Sequence, residues 1–95
     1  MSDALHTIET PALLTIYEVA QQAQLWQQQL QQTGSLNWSL AALQECDAAG
    51  LQLLMAMAKS VQLQHPHAVI TPPAQETLAH WLMAKLAAHA GADYA

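Results

Sequence analysis

Leu36-Asn37-Trp38-Ser39-Leu40-Ala41-Ala42-Leu43 runs through Gln44-Glu45-Cys46 into Asp47-Ala48-Ala49-Gly50-Leu51-Gln52-Leu53-Leu54-Met55-Ala56-Met57-Ala58-Lys59, and this stretch decides the fold. The first half is apolar and short enough for a buried strand. The second half is too long for a strand and has apolar residues at helical spacing. Asp47 between them is a good N-cap, because its carboxylate can accept from the free N–H groups of the first turn. Small residues follow it. The reading is strand, tight turn, capped helix, with the helix running from about Ala48 to Val61.

Working outward, His65-Pro66 closes a loop, and His67-Ala68-Val69-Ile70 reads as a second brief strand. Thr71-Pro72-Pro73 places an N-cap before proline in a first helical turn. The last helix then carries Leu78, Trp81, Leu82, Lys85, Leu86 and His89 on its inner side, with Gly91 as its stop.

On the N-terminal side, Leu5 to Ile8 alternates as an edge strand, Thr10-Pro11 breaks it, and Ala12-Leu13-Leu14 is a second short extended piece. Thr15-Ile16-Tyr17-Glu18 fits a capping box, in which Thr15 caps the N–H of Glu18 and Glu18 reaches back to Thr15. The helix after it places Ile16, Val19, Ala23, Trp26 and Leu30 in one apolar stripe. Gln21, Gln24, Gln28, Gln31 and Gln32 form the solvated opposite face. Gly34 suits the residue just past the helix end.

Strands alternating with helices predict an α/β domain: a mixed, mostly parallel sheet packed with about three helices, joined by right-handed crossovers. Leu36 to Leu43, apolar on both sides, is expected to be covered by helices on both faces. The chain has 95 residues, which suits one domain over 1–95, with its core at about 5–88 and a tail at 89–95.

Composition narrows the function classes. Apolar residues make up 53% and charged residues only 9%, with a net charge of −5. Lys59 and Lys85 are the only basic side chains, and arginine is absent. Nucleic acids and anionic membranes both require a basic surface, so neither is an expected partner. No apolar run approaches the roughly 20 residues of a membrane span, and the N-terminus lacks the basic-then-apolar pattern of a secretory signal. The expected location is the cytoplasm, with no membrane insertion.

Catalytic constellations are not apparent. His65-Pro66-His67 is an H-x-H pair, but His80 and His89 do not share a face, and no acid or cysteine cluster joins either pair as metal ligands. Cys46 lacks a neighbouring cation or histidine to activate it. Both glycine-rich phosphate motifs are missing, which disfavours nucleotide binding by the domain itself. Glu18 and Asp47 have capping roles. No catalytic residue, cofactor or metal is expected, and the chain reads as non-enzymatic. If Leu51, Leu54, Met55, Ala58 and Val61 face the sheet, Leu53, Ala56 and Met57 are left on the other flank. They would there form a patch for a partner, or be buried under neighbouring helices.

The Thr15–Glu18 segment after an apolar strand, the Leu36–Leu43 strand and Asp47-Ala48-Ala49-Gly50-Leu51-Gln52-Leu53-Leu54 together resemble the STAS domain, the fold of bacterial anti-sigma factor antagonists. Val69-Ile70-Thr71-Pro72-Pro73-Ala74 resembles that family's next strand and helix opening. The resemblance spans roughly Leu5 to Leu86. It implies partner switching: the domain binds a kinase-type anti-sigma factor, or a related chemotaxis regulator, through the surface around the motif. Phosphorylation of a Ser or Thr after the aspartate releases the partner, since a dianion disrupts an apolar, acid-rimmed interface. The implied partner-binding residues are Asp47, Ala48, Ala49, Gly50, Gln52, Leu53 and Met57. Ala48 occupies the phosphoacceptor-equivalent position, and its methyl group accepts no phosphoryl group. Ser39 stands where the family often has an acid. An alternative implied by the resemblance is an accessory subunit of an ABC-type lipid transporter, docked on its ATPase.

Overall fold

The computed structural model describes residues 5–90, with side-chain surroundings from residue 6 to residue 88. The order is β1 (Leu5–Glu9), β2 (Leu13–Leu14), α1 (Val19–Leu30), β3 (Ser35–Ser39), β4 (Glu45–Cys46), α2 (Ala48–Gln64), β5 (Val69–Thr71) and α3 (Glu76–Ala90). This is an α/β domain. One sheet has three strands in the order β1-β3-β5, and β2 pairs with β4 in a second, two-stranded ribbon. All three pairings among the described strands are parallel. Gly91 and the tail beyond it, together with the side chain of His89, lie outside the described residues.

The sheet has one covered face. In parallel register Ile8 lies beside Trp38, which lies beside Ile70. Ile8, Leu36 and Trp38 are buried there, while His6 and Ile70 are half-buried. On the other face Thr7, Glu9 and Ser35 are exposed and Val69 is 61% exposed, Asn37 and Thr71 are half-buried, and Ser39 is buried only where the strand ends. The expectation of helices on both faces is therefore corrected. Ser35, Asn37 and Ser39 alternate with Leu36 and Trp38, which is the period of a strand buried on one side only. A parallel sheet normally needs cover on both sides. Here polar side chains serve instead, and the Thr71 hydroxyl donates to Asn37 Oδ1 at 3.1 Å across that surface.

Two boundaries also move. The strand expected over Leu36–Leu43 ends at Ser39, because its Oγ accepts from the Ala41 N–H at 3.3 Å and the Leu43 N–H returns to the Leu40 carbonyl at 3.0 Å. Leu40 and Leu43 remain in the core, beyond the strand. Thr71 is a strand residue, paired with Ser39, rather than a helix cap. A residue before proline is steered away from helical backbone, so Pro72 before Pro73 delays α3 to Glu76.

The Thr15–Glu18 box is half formed. Glu18 Oε1 accepts from both the N–H (2.9 Å) and the hydroxyl (2.6 Å) of Thr15. The Thr15 hydroxyl accepts from the N–H of Tyr17, at 3.4 Å, rather than from that of Glu18. Residues 16–18 form a separate turn, and α1 begins at Val19. Trp26 and Leu30 face the core, and the five glutamines of the outer face are exposed. Gly34 adopts φ 103°, at the entry to β3 rather than directly behind the helix.

The core is built around two indoles. Trp26 and Trp38 meet edge to face, 5.8 Å between ring centres and 77° between planes, a geometry worth about 0.5–1.5 kcal/mol beyond burial. Both N–H groups end where β1 stops: Trp26 Nε1 donates to the carbonyl of its last residue, Glu9, at 3.1 Å, and Trp38 Nε1 to Thr10 Oγ1 at 3.0 Å. Thr10 is fully buried, so its hydroxyl has a definite task. Thr10→Val keeps the shape but leaves the Trp38 N–H unpaired, and we expect a loss of about 1–3 kcal/mol in urea unfolding.

Candidate docking surface

Asp47 closes the N-terminus of α2 and reaches beyond it. One carboxylate oxygen accepts from the Gly50 N–H at 2.9 Å. The other accepts from the Ile16 N–H at 3.0 Å, across 31 residues of sequence. One exposed side chain thus fastens the turn before α1 to the start of α2. These N–H donors, Gly50 first and Ile16 next, hold the Asp47 carboxyl below the usual aspartate range.

Gly50 makes this junction possible. A Cβ there would run into the Leu14 carbonyl oxygen and come within 3.0 Å of Cys46 Cβ. The same carbonyl accepts from the Asp47 N–H at 3.3 Å. The first turn of α2 is therefore pressed against the β2–β4 ribbon. Cys46, half-buried there, has its thiol pushed up by burial and then by the Asp47 charge, so it stays protonated.

Joining these segments gathers an apolar surface. Tyr17 is 90% exposed, Ile16 64% and Leu13 51%. Ile16 is tied to Asp47, Tyr17 follows it, and Leu13 pairs with Glu45. Ala48 is exposed at the head of the helix. Isolated exposed apolar residues are ordinary, whereas these lie along two segments joined by a hydrogen bond. Acidic Glu45 and Asp47, both exposed, border them.

Of the residues expected to bind a partner, Asp47, Ala48 and Gln52 are exposed, Ala49 and Leu53 are half-buried, and Gly50 is buried. Met57 is 3% exposed and belongs to the core, which corrects its place in an outward patch. With Leu53 it lines the cleft beside Trp26 and Leu30, because α1 packs over that flank. The outward stripe of α2 is Ala48, Gln52, Ala56, Lys59 and Leu63. Periodicity gives the angles between these residues but not which neighbours cover them. Ile16, expected in the apolar stripe of the helix, is instead exposed in the turn before α1, and Tyr17 beside it carried no expectation; both sit in a capping motif whose link to Asp47 is long-range.

The histidine pair is divided in use. His65 Nε2 lies 2.8 Å from the Leu30 carbonyl, at the C-terminal end of α1. Among the described residues no three His, Cys, Asp or Glu side chains converge as metal ligands, and no helix is long and apolar enough to cross a membrane.

No family model, curated protein or solved structure matches this chain.

Gly50→Ala should destabilise the domain by about 1–3 kcal/mol or more, as overpacking against fixed backbone does. Thermal melts read this directly. Asp47→Ala gives a second test. A lowered carboxylate stabilises the fold above its unfolded pKa, near 3.9, and that contribution is lost as pH falls through the lower folded value. The gap in Tm between wild type and Asp47→Ala should hold steady at neutral pH and close below about pH 4.

Proposed function

We propose that this domain is a non-enzymatic STAS-type protein-interaction module. It engages a regulatory partner, a kinase-type anti-sigma factor or a chemotaxis component, through the start of α2 and the turn before α1. The observation that carries this reading is the Asp47 clasp, which sets exposed Ile16 and Tyr17 beside the exposed head of α2. Aromatic and aliphatic side chains held on fixed backbone lose little freedom when a partner covers them. The acidic border suits a partner surface with an apolar centre and basic rim.

Ala48 shapes the regulation. In a phosphorylated relative the switch residue would follow the capping aspartate, and here that position is an exposed methyl group. Binding through this surface is constitutive, or is governed elsewhere. This observation favours a second reading as well: an accessory subunit docked on the ATPase of an ABC-type lipid transporter, where a permanent contact needs no release.

Affinity purification of the full chain, with Tyr17→Asp as control, separates these readings. An anti-sigma, kinase or chemotaxis protein captured by wild type and lost with Tyr17→Asp supports the first. A transporter ATPase with the same behaviour supports the second. Captured partners that ignore Tyr17→Asp would rule out this surface. Met57→Asp should unfold the domain, whereas Tyr17→Asp leaves its melting curve nearly unchanged. In the presence of the partner kinase and ATP no phosphate should appear on this surface, and stoichiometric incorporation there would overturn the constitutive account.

A further inference from the structure

A second surface lies at the other end of the strand order. β5 is the last strand of the sheet, and its outer edge has no strand partner among the described residues. The Thr71 carbonyl accepts from the Leu40 N–H at 2.8 Å, so Thr71, and with it Val69, turns its main-chain groups toward β3. Alternation along the strand then points the Ile70 N–H and C=O outward. Beside this edge runs an apolar groove of about 500 Å³ between Ile70 and Pro72 on one wall and α3 on the other. The α3 wall includes Ala79, Met83, Ala84 and Ala87, at the spacing of one helix face, while Leu82 and Leu86 turn into the core. Its alanines leave room beside the outward N–H and C=O of Ile70, while Pro72, the next outward position, offers only its carbonyl.

We infer that this groove takes a short extended segment of a partner protein, pairing with β5 and placing alternate apolar side chains against α3. Glu76 to Ala87 spans roughly 16 Å at the helical rise, the length of about five extended residues. The segment carries a basic residue. Glu76 is the one carboxylate lining the groove and His80 the other titratable side chain there, Lys59 and Lys85 do not line it, and the chain as a whole has charge −5. The same charges disfavour a second copy of this chain as occupant: its only basic side chains, Lys59 and Lys85, lie in α2 and α3, so no extended segment of it carries one to answer Glu76. Strand addition draws affinity from the main chain and selectivity from the side-chain pockets. None of the lining residues belongs to the Asp47 surface, so this contact stands independently of the reading given above.

Selection of random hexapeptides on the immobilised full chain tests it. Enriched peptides should alternate apolar residues, contain Lys or Arg, and shift the amide resonances of Val69–Thr71 and of Ala79–Ala87. Ala84→Glu, at an exposed position of the groove wall, should weaken them about tenfold or more with an unchanged melting curve. Glu76→Lys should remove the preference for a basic residue. N-methylation of a peptide at its edge-facing amides should abolish binding, and at the outward amides should not. No enrichment, or peptides indifferent to Ala84→Glu, overturns the proposal. So does a dimer in sedimentation that Ala84→Glu dissolves, which would assign the groove to a second copy.

Discussion

Everything near the Asp47 surface depends on how closely α2 approaches one carbonyl group, that of Leu14. The Leu14 side chain is fully buried, which fixes the position of its backbone. Its oxygen takes the Asp47 N–H and abuts Gly50, where any side chain would collide with it. A helix held at that distance presents its cap to the turn before α1, and the carboxylate completes the join at Ile16. Moving α2 outward by the width of a methyl group would stretch both main-chain contacts and release the turn. The exposed surface is therefore set from below, by the packing of a glycine.

Charge plays an unusually small part in the rest of the molecule. The polar surface is supplied by glutamine along α1 and by Thr7 and Ser35 over the open face of the sheet. Such residues hydrogen-bond with water without creating a long-range field, and the two lysines are too few to produce a basic patch. Where acids do occur, two are committed to donors within the fold: Glu18 to Thr15, and Asp47 to Gly50 and Ile16. Association with a partner would then owe more to shape and apolar contact than to steering.

Much of this was legible in the sequence wherever the determinants are local. The order of elements, the Asp47 cap, the extended Ala12–Leu14 piece and the glutamine face of α1 each follow from residues within a few positions of one another. The α/β class follows from their alternation. Two features were obscured because their causes lie elsewhere. Met57 is buried by α1, which no pattern within α2 discloses. Ile16 and Tyr17 join the site through a bond spanning 31 residues. The open sheet face is a different case: Ser35, Asn37 and Ser39 announced it by their alternation, but the apolar run through Leu43 masked the period. That run includes a turn nucleated by the Ser39 hydroxyl, so two of its leucines serve the core from outside the strand.

The parallel register has a consequence for how the chain reaches this state. Leu5 pairs with Ser35, Leu13 with Glu45 and Asn37 with Val69, so every ladder joins residues at least 30 positions apart. No hairpin exists among the described strands to start the sheet locally. Each pairing must wait for a loop containing a helix to close, and the entropy of closure precedes any reward from the ladder. Helical turns and contacts between successive helices are the structures available early. During synthesis β1 emerges without a partner until the whole of α1 has followed it, and the β3–β5 ladder must wait likewise for α2. The sheet is a late product of the helices that cover it.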